Sequence, residues 1–131
     1  MLAVYNGHPL LKYTNEGVDL EMLSDFPLVF FERDVGTALY DEIISLLANV
    51  GVVPTISQEA GEAMTILGLV AAGLGVSIVT ESFIRMKLDG VQYLPLANNP
   101  AYSEVWLVKH KNRNNNPAAK RLTNLLISNI V

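Results

Sequence analysis

From residue 59 to residue 79 the chain reads EAGEAMTILGLVAAGLGVSIV, with no charge between Glu62 and Glu81. A membrane-spanning helix needs roughly 20 apolar residues without backbone punctuation. This run is interrupted at Gly68, Gly73 and Gly75 and turns β-branched at Val76, Ile78 and Val79. The pattern predicts a buried helix over 61–73, apolar on nearly every side, feeding an inner parallel strand over 75–79. Upstream, Leu39, Ile43, Leu46, Leu47 and Val50 recur at helical spacing from Thr37, and Gly51 stands where a C-terminal cap belongs. That is a one-sided amphipathic helix.

Shorter apolar runs predict strands at 2–5, at 28–31 after Pro27, at 54–58, at 91–96 and at 104–109. Residues 12–16 and 32–34 read as polar loops, 19–24 as a short helical turn, and Thr80 and Ser82 as N-caps of a short helix ending at Gly90. The Asn-rich stretch 112–116 leads to Pro117, which suits the first turn of a last helix carrying Leu122, Leu125 and Leu126. The central order is strand, helix, strand, helix, strand. Helices of this length between strands imply parallel pairing through right-handed crossovers, hence an α/β fold.

Composition narrows the function classes. At 131 residues, half of them hydrophobic (50%) and 17% charged, the chain has material for one main folding unit. A formal charge of −4 argues against nucleic-acid binding by this chain itself, which would need clustered Lys and Arg on one face. Lys109, Lys111 and Arg113 are diluted by Asn and read as a solvated loop. The absence of cysteine excludes disulfides and thiolate metal sites and fits a cytoplasmic protein. The first residues, MLAVYNGHPLL, lack the basic n-region of a signal peptide.

In open parallel α/β sheets, ligands bind beyond the carboxyl ends of strands, where helix N-termini point. Three loops of this chain lie there: 32–37, 58–62 and 80–82. In the first, Gly36 allows close backbone approach and Arg33 could hold an anion, so a small carboxylate fits. Equally, Arg33 could simply pair with Glu32 or Asp34 on a solvated loop. Glu62, in a helix's first turn, is explained by the helix dipole, whereas Glu59 at a strand end stays open.

Enzyme signatures are sparse. Gly73-Leu74-Gly75 follows a helix and precedes a strand, the reverse of a dinucleotide loop. Ser77 lies outside any nucleophile elbow and reads as a buried hydroxyl. His8 reads as a loop residue, and it lies far from His110 with no carboxylate at ligand spacing, so neither a metal nor a cofactor is expected. Trp106 and Tyr102 read as packing residues.

Taken in order, His8-Pro9-Leu10, Pro27-Leu28-Val29-Phe30-Phe31, Gln58-Glu59-Ala60, the tract Leu69-Val70-Ala71-Ala72-Gly73-Leu74-Gly75 and Leu94-Pro95-Leu96 resemble the effector-binding domain of LysR-type transcriptional regulators. The resemblance covers essentially the whole chain and is similar to members that respond to aromatic-degradation intermediates. It implies a non-enzymatic, cytoplasmic sensor with a fold like a lobe of a type 2 periplasmic binding protein. By that resemblance, 20–96 is the second lobe, while 1–19 and 97–131 are a strand and a return segment of an incomplete first lobe.

The implied ligand is a small effector held between lobes, and the implied contacts are Phe31, Glu32, Arg33, Val35, Gly36 and Thr37, with Gln58, Glu59 and Ala60. DNA would be bound only through an N-terminal winged helix outside this chain. Apolar segments at 2–4, 105–107 and 122–126 lack a complete lobe to pack into, so self-association into a dimer or higher oligomer is expected. Two other readings stay open: a stand-alone solute-binding module of the same architecture, and a small α/β enzyme with Glu59 or Asp34 as base.

Overall fold

The computed structural model describes residues 1–98, 101–102, 104–111 and 116–129. Its centre is strand β1 (Leu2–Tyr5), flanked antiparallel by β4 (Ser77–Ile78) and β5 (Val91–Leu94). The register places Ala3 opposite Ser77 on one side and Tyr93 on the other. A second, parallel pair joins β2 (Leu28–Phe31) to β3 (Ile56–Ala60). The two sheets meet at a parallel bridge between Leu28 and Val76, sealed by Val29 N–H donating to the Val76 carbonyl at 2.8 Å.

Gly75 makes that junction possible. A Cβ there would run into the Pro27 carbonyl, with Ser57 Oγ also only 3.3 Å away. Ser57 adds its own ties across the same seam, its hydroxyl lying 3.1 Å from the Leu28 carbonyl and 2.8 Å from that of Leu74.

Two helices cover opposite faces of this sheet. Alternation along the strands sends Leu2, Val4 and Phe30 to one face, where they pack with Ile43 and Leu47 of α1 (Thr37–Asn49). Ala3 and Val29 go to the other, against Ile66, Leu67 and Val70 of α2 (Ala63–Ala71). The architecture is α/β in three layers, and β2–α1–β3 joins two parallel strands as the sequence pattern predicts. The parallel strand expected over 75–79 is instead a two-residue β4 paired antiparallel to β1, parallel to β2 only at the Leu28–Val76 bridge.

Several local expectations are corrected. β1, grouped above with residues 97–131, is hydrogen-bonded between β4 and β5. The segment 104–109 forms no strand, because no partner edge among the described residues reaches it; Val105 is 96% exposed and Val108 87%. Trp106 and Tyr102, expected to pack, are exposed as well. α2 is covered on one side only, with Met64 and Gly68 facing outward. Residues 9–13 and 33–35, read as starting or lying in loops, are 3-10 turns, and the turn after β4 ends at Arg85 rather than near Gly90.

His8 is likewise no simple loop residue. Its Nδ1 accepts the Leu10 N–H at 3.2 Å, capping the 3-10 turn at 9–13, and its ring lies 4.8 Å from Tyr5 and 4.7 Å from Phe26. Ser77 is buried, as expected, and its hydroxyl has no partner among the described residues. A third helix, α3 (Pro117–Asn129), forms where Pro117 predicts it but buries no residue. Most of the Asn-rich loop at 112–116, with Arg113, lies outside the described residues. No helix among the described residues is long and apolar enough to cross a membrane.

Candidate functional site

β2 and β3 run parallel, so their carboxyl ends lie side by side and each leads toward a helix N-terminus. Phe31 pairs with Ala60 at this edge, and the Glu32 N–H donates to the Ala60 carbonyl at 3.2 Å. The first two loops singled out in the sequence are thus brought together. A Cβ on Gly61 would lie 3.7 Å from Val35 Cγ2 and 4.0 Å from Glu32 Oε2, so Glu32 and Val35 stand directly over Gly61.

Neither helix that starts here carries a side-chain cap. α1 opens after Gly36 and α2 after Glu62, both without a capping hydrogen bond from the side chain. Their first-turn N–H groups and positive dipole ends face the same edge, an arrangement suited to an acceptor-bearing ligand. Thr37 sits at the start of α1 with its hydroxyl 3.2 Å from the Arg33 carbonyl.

Individual candidates fare differently. Phe31 is half-buried, its ring 4.6 Å from Phe30 and 6.0 Å from Tyr40 of α1. Ala60 is buried in the cluster under α2 and contributes its carbonyl rather than its side chain. Gln58 and Glu59 are both exposed, but as successive strand residues they leave the sheet by opposite faces. One face of the sheet therefore presents only one of the two side chains to a ligand.

Arg33 is engaged, though with neither neighbour expected. Its Nε donates to Asp41 Oδ1 at 2.9 Å and its Nη2 to Oδ2 at 2.7 Å. The hydrogen-bonded guanidinium holds the Asp41 carboxyl below its usual range, and Asp41 in turn raises Arg33. Asp41 had no signal in the sequence beyond being an acid in the second turn of a helix. The loop's own acids, Glu32 and Asp34, looked nearer in sequence, but the 3-10 turn at 33–35 points Arg33 along α1 instead.

The third loop borders a different space. Thr80 and Ser82 hydroxyls lie 2.7 Å apart, and beside them opens a cavity of about 470 Å3 whose other walls are Leu39, Ile43 and Leu46 of α1, Ile78 and Val79, and Ala101, Tyr102 and Val105. None of the nine predicted contacts lines it. Periodicity placed Leu39, Ile43 and Leu46 correctly on α1 but gave no sign that part of this face stays open. Among the described residues, no group of three or more His, Cys, Asp or Glu could hold a metal ion.

Comparison with known proteins gives one consistent context. The profile of the LysR substrate binding domain matches residues 1–130. The Escherichia coli (strain K12) protein named as uncharacterized HTH-type transcriptional regulator YnfL is 47% identical over 120 residues, covering 92% of this chain and 40% of that protein. Among solved structures, the BenM effector binding domain with its effector benzoate superimposes with a TM-score of 0.67 at 31% identity, over 73% of this chain and 43% of that one. The effector binding domain of QuiR in complex with shikimate gives a TM-score of 0.68 at 26% identity, over 97% of this chain and 58% of that one. The chain spans less than half the length of the curated relatives it matches, and those relatives are named as transcriptional regulators.

Proposed function

The chain belongs to the LysR substrate binding domain family, and from that premise we propose that it is the effector-sensing part of a cytoplasmic LysR-type regulator. A small effector is held at the carboxyl edge of β2 and β3 and changes how the whole regulator binds DNA. The observation that carries this reading is the convergence of Glu32, Val35 and Gly61 beneath two helix N-termini without side-chain caps. The role is non-enzymatic. DNA contact belongs to a winged helix-turn-helix outside these residues.

The ligand is a carboxylate, in the class of aromatic-degradation intermediates or ring acids. Helix N–H groups supply anion affinity where side chains do not, and the small molecules named with two solved relatives, the effector benzoate and the bound shikimate, are both carboxylates. Phe31 stands on one side of this edge, and Gly36 and Thr37, with one of Gln58 and Glu59, form its rim. Residues 97–131 return to a first lobe that this chain does not complete, and the exposed Leu122, Leu125 and Ile127 support association with further protein, including a second copy.

Ligand acts by population shift. It favours one arrangement of the regulator only as far as its affinity differs between arrangements. Isothermal titration of the full-length regulator with shikimate, benzoate and other ring carboxylates, paired with operator-binding assays, tests this. Binding that shifts operator affinity is expected; a regulator that binds none of them and keeps its operator affinity unchanged would sink the reading.

A further inference from the structure

Arg33 is the one basic residue in the loop over the cleft edge, and the obvious use for it is to grip an anionic ligand. Its geometry gives it another. Both acceptor oxygens of Asp41 are taken by the guanidinium, at 2.9 and 2.7 Å, a two-point fork that fixes orientation as well as distance. The fork crosses the joint between the 3-10 turn Arg33–Val35 and α1.

The other bonds at this joint are made close to the main chain. Val35 N–H donates to the Glu32 carbonyl at 3.0 Å, Gly36 N–H to the Arg33 carbonyl at 3.3 Å, and the Thr37 hydroxyl reaches the same carbonyl at 3.2 Å. All of them lie within one turn of Gly36. The Arg33–Asp41 fork reaches further, into the second turn of α1, and so sets the angle between turn and helix. Asp34 adds only a weaker, longer-range attraction to Arg33.

We infer that Arg33 is a positioning residue, clasped by Asp41 so that the 33–35 turn holds Glu32 and Val35 over Gly61 and leaves the α1 N–H groups facing the cleft. The clasp turns the guanidinium toward α1 and commits Nε and one Nη2 proton to Asp41. A carboxylate that sought Arg33 would meet only the remaining Nη protons, with the side-on fork already filled. The clasp depends on the cleft reading above only for what it means to a ligand; the clasp itself exists without one.

Amide exchange followed by NMR in the ligand-free chain tests it directly. Arg33→Ala and Asp41→Ala should each speed exchange at Val35 and Gly36 by about three- to five-fold, the modest effect of a half-exposed pair. Combining them should add nothing further. Arg33→Lys, which keeps the charge but loses the fork, should also speed exchange, and the swap Arg33→Asp with Asp41→Arg should slow it again. Unchanged exchange in both alanine variants, or full additivity with no recovery in the swap, overturns the clasp.

A shikimate titration of the same proteins separates the roles. A positioning pair weakens shikimate equally on losing either member, whereas a ligand-gripping Arg33 makes Arg33→Ala weaken it and Asp41→Ala leave it intact or tighter. The second pattern overturns the proposal. If shikimate shifts no amide over 33–37 in the wild type, shikimate is not this edge's ligand, and the exchange result alone decides the clasp.

Discussion

Two helices of thirteen residues each show what this chain can and cannot complete. α1 buries Ile43 and Leu47 against the sheet, while α3 has leucines at comparable helical spacing and buries nothing. Leu125 is 60% exposed, although its neighbours on the helix face are Leu122 and Leu126. Amphipathic pattern is therefore a statement about what a helix is built to contact, and burial follows only where the contact surface is present. In α1 that surface is Phe30 and its neighbours; for α3 it is absent from the described residues.

The sharpest way to break this comparison is to truncate one leucine in each region. Leu67 on α2 is fully buried beside Val29 and Val70, so Leu67→Ala should cost about 2–5 kcal/mol in chemical denaturation, the transfer and cavity cost of a core leucine. Leu125→Ala should stay within about 0.5 kcal/mol, as for other exposed substitutions. Comparable losses at both sites would mean that α3 is packed in solution. Repeating Leu125→Ala in the full-length regulator sharpens the test, because a loss appearing only there identifies the missing surface as part of the longer protein.

A smaller effect lies within the packed region itself. His8 is buried and its pKa is lowered, because burial disfavours the charged ring. Protonation would also fill Nδ1, the atom that accepts the Leu10 N–H. A base whose folded pKa lies below its unfolded value of about 6.5 stabilises fully above that value. The contribution is then lost as pH falls through 6.5 toward the folded pKa. Thermal stability should thus fall as the pH drops below about 6.5, and His8→Asn, which keeps a capping acceptor, should flatten that slope. His8→Ala should cost about 1–2 kcal/mol at neutral pH by removing the cap and the ring packing. An identical pH slope in wild type and His8→Asn would remove His8 as its source.

The same contrast explains how much the sequence made legible. Period and punctuation located β1, β2 and α1 nearly to the residue, because Leu2-Ala3-Val4, Pro27 and Gly51 are local signals. The strand expected at 104–109 has an equally apolar pattern but no edge to pair with, and pairing is not written in the strand itself. For the site, strand order was enough to bring 31–37 and 58–61 together. It could not give the direction of Arg33, since Asp41 becomes the partner only once the 33–35 turn sets its course along α1. His8 was missed for a related reason: a buried capping role depends on Tyr5 and Phe26 closing over it.

The smallest expected effect is the most direct test of the two-region picture. Leu96 and Ala97 are bound into the packed unit through the bridge to Val18 and the Ala97 N–H donating to the Val18 carbonyl at 2.9 Å. Beyond them, Tyr102, Val105 and Trp106 are 74%, 96% and 78% exposed, so little apolar area leaves water when this segment is present. A chain ending after Ala97 should accordingly melt within about 2 °C of the 131-residue chain, since Tm moves by several degrees only per kcal/mol lost. It should also associate less, because the exposed leucines of α3 are gone. A fall of many degrees would show that the cavity wall formed by Ala101, Tyr102 and Val105 holds α1 in place. In that case the return segment stabilises the unit from outside, and exposure alone understates what it contributes.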